Sequence, residues 1–199
     1  MTELRHTTGD SLELENRFAS RAAHMKPSEI RSLFAVASRP EIVSLAGGMP
    51  NLSALPMEMM ADVVKKLILD NGQEALQYGS GQGHPRLREQ ICEMMALEGI
   101  RAKSDDVVIT TGSQAALDLI TRIFIDPGDV ILVEAPSYVG ALGVFAQYQS
   151  QVVHIAMDDK GLIPSALSEA ITKVRAAGGK IKFLYCIPNF QNPSGVTMP

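Results

Sequence analysis

The sequence has few residues that could form disulfides or bind a metal ion. Its 199 residues include two cysteines, Cys92 and Cys186, which lie far apart and belong to no paired motif. We therefore expect both thiols to be free and packed as small hydrophobic side chains. The four histidines are scattered, with no two at the spacing of helical metal ligands. A metal site is therefore not predicted.

Long apolar runs and a strong excess of one charge are also missing. No run approaches the ~20 apolar residues that span a bilayer, and the polar segment 1–21 lacks the apolar core of a signal peptide. The formal net charge of −4 gives no reason to expect nucleic acid or an anionic membrane as a partner. We therefore expect a cytoplasmic protein that binds neither.

Apolar segments typical of strands alternate with amphipathic segments typical of helices through the second half of the chain. This alternation predicts the α/β class, with a mainly parallel sheet covered by helices on both faces. The predicted strands are 42–45, 107–109, 130–133, 152–156 and 181–187. The predicted helices are 27–38, 56–71 (ending at Gly72), one that begins at Pro85, 113–125, 138–148 and 164–177, and 78–83 is a predicted loop.

The turn after the predicted strand 107–109 has the features of an anion site. Gly112 allows a tight turn, and a helix then begins at Ser113. The unpaired amides of the first helical turn, the helix dipole and the Ser113 hydroxyl would together suit a phosphate. A simple N-cap at Ser113 is the alternative. The segment lacks both the Gly-Lys-Ser/Thr of a nucleotide P-loop and the Gly-x-Gly-x-x-Gly of a dinucleotide site.

Two further strand ends carry Tyr138 and Asn192. Tyr138 could stack on a flat cofactor ring, although a tyrosine packed at a helix start is the alternative. Asn192, between Gln191 and Pro193, could donate a hydrogen bond to a ring oxygen, or could simply form an Asn-Pro turn. Because parallel strands end at one edge of a sheet, we expect all three turns to open on the same side. Together they offer the groups that a phosphorylated aromatic cofactor needs.

Six short segments resemble those of one known family. They are Ser-Leu-Ala-Gly-Gly-Met-Pro-Asn at 44–51, Leu-Gln-Tyr-Gly at 76–79, Thr-Thr-Gly-Ser-Gln at 110–114, Asp-Pro-Gly-Asp at 126–129, Glu-Ala-Pro-Ser-Tyr at 134–138 and Gln-Asn-Pro-Ser-Gly at 191–195. In order and approximate spacing they resemble the class I/II aminotransferases of fold type I, which depend on pyridoxal 5′-phosphate (PLP). The resemblance runs from about residue 27 to the end and is greatest to the 2-aminoadipate, kynurenine and aromatic branch.

The resemblance implies cofactor contacts for five residues at the three turns. Gly112, Ser113 and Gln114 would hold the phosphate of PLP. Tyr138 would stack on the pyridine ring, and Asn192 would hydrogen-bond its phenolic oxygen beside the substrate. The fold implied is the large domain of a fold type I PLP enzyme, incomplete at its C-terminus.

The resemblance also implies a dimer and a division of the chain. Tyr78 would reach across the interface of a homodimer to the phosphate region of the neighbouring site, and Gly48 would line the substrate pocket. Residues 1–45 would form an N-terminal arm and a lid or small-domain segment, and residues 46–199 the N-terminal portion of the PLP-binding large domain. The substrates would be an α-amino acid and a 2-oxo acid.

The resemblance assigns no catalytic residue to this chain. The family's Schiff-base lysine, the aspartate at the pyridine nitrogen and the arginine that binds the substrate carboxylate all follow the last matching segment. We therefore expect an N-terminal fragment that does not transaminate alone. Its exposed strand edge should make it poorly soluble or cause it to associate. The alternatives are a PLP-dependent lyase or synthase, the aminotransferase-like half of a transcription regulator, and a non-catalytic module for a phosphorylated ligand. None of Lys160, Lys173, Lys180 and Lys182 lies in a matching motif, so none of them is assigned the role of the Schiff-base lysine.

Overall fold

The computed structural model describes residues 16–24, 39, 41–43 and 52–199. The chain divides into two compact units, residues 1–27 with 111–199 and residues 28–110. The predicted helix 27–38 and Gly48 lie outside the described residues. So does the predicted domain boundary at 45/46, which stays a prediction. Of the predicted strand 42–45, the described part, Ile42 and Val43, forms no strand.

Two α-helices make up most of the described part of unit 28–110. They are α1 (Met57–Ala75) and α2 (Pro85–Leu97). The predicted end of α1 at Gly72 is wrong, because the helix continues across a kink at Asn71 (φ −137°, ψ 28°). Gly72 keeps its carbonyl in a helical hydrogen bond from the Leu76 amide, 3.0 Å, and so does not act as a C-cap. Within the described ranges, no helix is long and apolar enough to cross a membrane.

The buried side chain of α2 is a charged one, Arg88. Its Nη1 donates to the Ser104 carbonyl oxygen (2.8 Å) and to Gln82 Oε1 (3.2 Å), and so ties two loops to the helix. The apolar side chains of α2 are only partly covered, since Met94 is 68% exposed. Tyr78, in the predicted loop, is fully exposed.

The predicted strand 107–109 is absent from the structure. The backbone of Val107 is extended (φ −110°, ψ 129°), but the Ile109 amide donates to the Gln82 carbonyl oxygen of a loop, 2.8 Å. An extended segment becomes a strand only when another strand pairs with it. Residues 107–109 have no such partner among the strands of the described residues.

The other unit is built on a four-stranded sheet with the order β3-β2-β1-β4. β1 pairs in parallel with both β2 and β4, and only β2 and β3 are antiparallel. The predicted α/β fold with a mainly parallel sheet is therefore confirmed, while β3, two residues long, was not predicted. The strands are β1 (Val130–Ala135), β2 (Gln151–Asp158), β3 (Gly161–Leu162) and β4 (Ile181–Tyr185).

Three helices cover the two faces of this sheet, as predicted. They are α3 (Gly112–Phe124), α4 (Val139–Gln147) and α5 (Pro164–Ala176). Because successive residues of β1 point to opposite faces, Ile131 and Val133 pack toward α3 and α4. Val130 and Leu132 pack on the other face, against α5. We call the first cluster the α3–α4 core; its buried residues are Ile125, Ile131, Val133, Ala141, Val144 and Phe145.

The amino end of β1 is held by Asp129, in the Asp-Pro-Gly-Asp turn. Its Oδ2 accepts the Asp126 amide (2.8 Å) and lies 3.0 Å from Lys182 Nζ at the start of β4. The Asp126 hydrogen bond, and then Lys182, lower the pKa of Asp129 despite the opposing effect of burial. The carboxylate therefore joins the turn, β1 and β4 at the amino edge of the sheet.

Ile131→Val should lower the free energy of unfolding by about 0.5–1.5 kcal/mol, because it removes a methyl group from a packed core. Ile131 is 0% exposed in the α3–α4 core, whereas Ile123 on α3 is 73% exposed. Urea denaturation of the 199-residue chain measures the change. The matched control Ile123→Val should stay within about 0.5 kcal/mol of the parent. Equal losses from both substitutions would contradict the burial of β1.

Asp129→Asn should destabilise the chain at neutral pH, with a loss that shrinks in acid. A carboxyl whose pKa is lower in the folded state stabilises the fold above its unfolded-state pKa, about 4. That contribution disappears as the pH falls through the folded-state pKa. Urea midpoints of parent and variant should therefore converge below about pH 4. The control Asp159→Asn, at an exposed turn position, should give a difference that does not vary in this way.

Candidate functional site

Three loops meet at the carboxyl edge of the sheet. β1 and β4 are parallel neighbours, with Val133 beside Tyr185, so both strands end at this edge. The loop after β1 carries Tyr138, the loop after β4 carries Asn192, and α3 begins nearby at Gly112. Side-chain hydrogen bonds join each of these loops to another.

The start of α3 lies beside the start of α4. Gly112 has φ +75°, a backbone conformation that favours glycine, and the exposed Ser113 follows it. Gln114 Nε2 donates to the Gly140 carbonyl oxygen in the first turn of α4, 3.2 Å. Neither helix has an acidic residue in its first turn. The positive ends of two helices therefore lie side by side.

Tyr138 is the N-cap residue of α4 and is half-buried. Its hydroxyl donates to Gln114 Oε1, 3.4 Å, which joins the start of α3 to the loop after β1. Its ring lies so close to Gly140 that a Cβ there would collide with it. The ring position therefore requires glycine at residue 140.

Asn192 is exposed and lies in the loop that follows β4. The preceding residue, Gln191, is 2% exposed, and its Nε2 donates to the Pro136 carbonyl oxygen, 2.8 Å. Pro136 is two residues before Tyr138, so this bond links the Asn192 loop to the Tyr138 loop. The structure thus brings together the turns of Ser113, Tyr138 and Asn192.

Sequence reasoning missed Glu134 and the role of Gln191. Glu134 is fully buried at the end of β1, and its Oε2 accepts the Ile187 amide (2.9 Å) and Gln191 Nε2 (3.4 Å). The available signal was a charged residue at the end of an otherwise apolar strand. Such a residue, buried with the strand, needs polar partners from another loop.

Burial and Glu134 raise the pKa values of two nearby acidic groups. The pKa of Tyr185 is raised chiefly by burial, then by Tyr138 and Glu134, and the pKa of Cys186 by partial burial and Glu134. Because the ordinary pKa values of both groups already lie above neutrality, neither side chain adds negative charge at this edge near neutral pH. Both cysteines are free thiols, as predicted. Cys186, the residue that follows β4, is exposed rather than packed as predicted.

Two other predicted site residues, Tyr78 and Gly48, do not belong to these three loops in sequence. Tyr78 belongs to unit 28–110 and Gly48 is outside the described residues. Lys182 pairs with Asp129 at the amino edge of the sheet, and Lys173 Nζ lies 2.6 Å from Glu169 on α5. No cluster of His, Cys, Asp and Glu that could hold a metal ion occurs in the described part of the chain.

Comparison with known proteins gives concordant matches. The family described as aminotransferase class I and II matches residues 40–199. An aromatic-amino-acid aminotransferase of Thermococcus litoralis is 41% identical over 189 residues, and a 2-aminoadipate transaminase of Thermus thermophilus is 36% identical over 188. Each alignment covers 94% of this chain and 45% of the relative. The chain thus spans a little under half the length of these relatives.

A solved structure gives the same result for the fold. The kynurenine aminotransferase of Pyrococcus horikoshii, crystallised with PMP, is 40% identical and has a TM-score of 0.85. The match covers 94% of this chain and 46% of that one. The implied fold type I architecture and the resemblance to the aromatic, 2-aminoadipate and kynurenine branch are therefore confirmed. With the family match extending over most of its length, the chain belongs to the class I and II aminotransferases.

Proposed function

We propose that the carboxyl edge of this sheet binds PLP and that the protein is a PLP-dependent aminotransferase. It would transfer the amino group of a 2-aminoadipate or aromatic type α-amino acid to a 2-oxo acid. The observation that carries the proposal is the meeting of three loops at one edge, joined through Gln114–Tyr138 and Gln191–Pro136 hydrogen bonds.

The residues at the start of α3 fit the phosphate of PLP. The positive ends of α3 and α4 lie together through the Gln114–Gly140 hydrogen bond, and such ends attract anions. Ser113 is exposed in the first turn of α3, so its hydroxyl is available as a donor. Gly112 and Gln114 complete the proposed phosphate-binding site. Gly112 allows the turn, and Gln114 holds the two helices together.

The residues of the other two loops fit an aromatic ring with a polar oxygen. Tyr138 offers a half-buried ring that would stack on the pyridine, and the exposed Asn192 amide would donate to the phenolic oxygen. When bound, PLP supplies the electron sink of amino-acid chemistry. The contribution of these residues is to bind and orient it, with Asn192 also beside the substrate.

We further propose that the protein is a cytoplasmic homodimer. Tyr78 is fully exposed, which suits a side chain that contacts the phosphate region of a partner subunit, and Gly48 would line the substrate pocket. Both cysteines are free, as is common in a reducing compartment. Of the alternatives, a lyase or synthase is not favoured, because the most similar relatives described above are named aminotransferases.

Ser113→Ala should weaken the binding of pyridoxamine 5′-phosphate and of inorganic phosphate alike, by about 10- to 100-fold, the range for a hydrogen bond to a charged group. The amine form of the cofactor serves as probe because it does not react with lysines. Ligand fluorescence measures its affinity, and competition gives that of phosphate. The matched control Ser165→Ala changes the second residue of α5, on the opposite face of the sheet, and should leave both affinities unchanged. An unaffected Ser113→Ala variant would contradict the phosphate site.

Asn192→Ala should lower kcat/KM for amino-group transfer by about 10- to 100-fold in the whole protein, through the loss of one hydrogen bond to a charged oxygen. The assay supplies PLP and follows the chromatographic yield of glutamate from 2-oxoglutarate. The donors compared are 2-aminoadipate, phenylalanine and tyrosine. Binding of the cofactor with no transfer from any of these donors would favour a non-catalytic module instead.

A further inference from the structure

We propose that Gln191 and Glu134 form a buried latch that positions Asn192 for the cofactor ring. This inference deepens the proposed function and rests on it. The latch fixes the loop after β4 to the loop after β1, and so sets the affinity for the pyridine ring while leaving the affinity for phosphate unaffected. Gln191 and Glu134 are positioning residues, since they would act through Asn192 rather than touch the cofactor.

The Gln191 amide uses all of its hydrogen-bonding capacity within the protein. Nε2 donates to the Pro136 carbonyl oxygen (2.8 Å) and to Glu134 Oε2 (3.4 Å). Oε1 accepts from the amide (2.9 Å) and the hydroxyl (2.7 Å) of Ser194. An amide side chain offers two donors and an oxygen with two lone pairs, so the nitrogen faces one loop and the oxygen the other. Gln191 therefore connects them in a defined orientation.

The backbone of Gln191 closes the same loop around Asn192. Its amide donates to the Val196 carbonyl oxygen (2.8 Å), and its carbonyl oxygen accepts the Gly195 amide (2.6 Å). Asn192 lies inside this closed turn, one residue after the buried anchor. The path of the backbone at Asn192 is therefore set by Gln191.

Glu134 anchors the loop at two points. Its Oε2 accepts the amide of Ile187, where the loop leaves β4, and also bonds the Gln191 side chain. Oε1 is buried without a hydrogen-bond partner in the described part of the chain. A fully buried carboxyl with one unpaired oxygen is costly for stability. A positioning role gives a reason for its presence that core packing does not.

The position of the Asn192 side chain depends on these anchors, because its own side chain forms no hydrogen bond within the described residues. Within the described residues, no hydrogen bond holds its side chain, and the residue is exposed. The position of an exposed side chain without hydrogen bonds is set only by its backbone. Such a side chain orients a ligand poorly if the backbone that carries it is not held in place. The position of the Asn192 amide therefore depends on Gln191.

The residues proposed to bind phosphate, at the start of α3, are attached to the fold in a different way. The start of α3 is joined to α4 by Gln114, through Gly140 and Tyr138. The side-chain hydrogen bonds of Gln191 and Glu134 go to Pro136, Ser194 and Ile187, and to each other, with none to α3. Ring binding and phosphate binding should therefore respond separately to a change in the latch.

The decisive variant is Gln191→Glu, which replaces only the donor side of the amide. One carboxylate oxygen can still accept from Ser194, but the donations to Pro136 and Glu134 are lost, and two carboxylates face each other. We expect the affinity for pyridoxamine 5′-phosphate to fall about tenfold, with that for inorganic phosphate within about twofold of the parent. The chain contains no tryptophan, so ligand fluorescence is read against a low background. The matched control, Gln151→Glu, changes an exposed glutamine at the amino end of β2 and should alter neither affinity.

Two double variants separate positioning from general damage to the fold. Glu134→Gln combined with Gln191→Glu restores one donor and one acceptor between the two side chains. It should recover part of the lost affinity for pyridoxamine 5′-phosphate. Gln191→Glu added to Asn192→Ala should cost little more than Asn192→Ala alone, because residues that act as a unit are not additive.

Every result of these binding experiments either supports or overturns the proposed latch. A selective loss for pyridoxamine 5′-phosphate, with partial recovery in the exchange variant and non-additivity with Asn192→Ala, supports the latch. Unchanged affinity in Gln191→Glu overturns it, as does a parallel loss of phosphate affinity that the exchange variant does not repair. If the whole parent protein does not bind pyridoxamine 5′-phosphate, the proposed function is overturned, and the latch with it. A parent that binds it, with Gln191→Glu unaffected, overturns the latch alone.

Discussion

The burial of β1 on both faces is the constraint on which the sheet unit depends. Residues Val130 to Glu134 are all buried, and the strand has a parallel partner on each side. Movement of this strand would expose apolar surface on two sides and break two sets of backbone hydrogen bonds. Groups attached to its ends are therefore held in place: Asp129 at the amino edge, and Glu134 with the Tyr138 loop at the carboxyl edge. Exposed loops gain a rigid support in this way.

The two edges of the sheet use charge differently. At the amino edge Asp129 is paired with Lys182 and bonded to its own turn, which stabilises the fold. At the carboxyl edge Glu134 is buried among neutral donors, and one of its oxygens lacks a partner in the described residues. Burying a polar group in this manner is weak support for stability. Geometric control of the neighbouring loop is the better explanation, because both Glu134 hydrogen bonds lead to residues 187–191.

Patterns that depend on local sequence predicted most of the sheet unit. The apolar runs at 130–133 and 152–156 are strands, and the run at 181–187 is a strand as far as Tyr185. The three helices between and before them lie within about one residue of their predicted bounds. The strand predicted at 107–109 is wrong, because a strand needs a partner that no local pattern reveals. The helix end predicted at Gly72 is wrong, because a glycine ends a helix only if it adopts a capping conformation. The Gln191–Glu134 contact joins residues 57 positions apart, so only the folded chain shows it.

An edge that attracts an anion has to keep its own acidic groups neutral or hidden. The positive ends of α3 and α4 each carry only a partial charge, which one exposed carboxylate nearby would cancel. Neither first turn contains one. Tyr185 and Cys186 have ordinary pKa values that already lie above neutrality, and burial, with a smaller contribution from Glu134, raises both pKa values further. The acidic side chain that organises the loop is thus a buried one, Glu134, rather than one exposed beside the two helix starts.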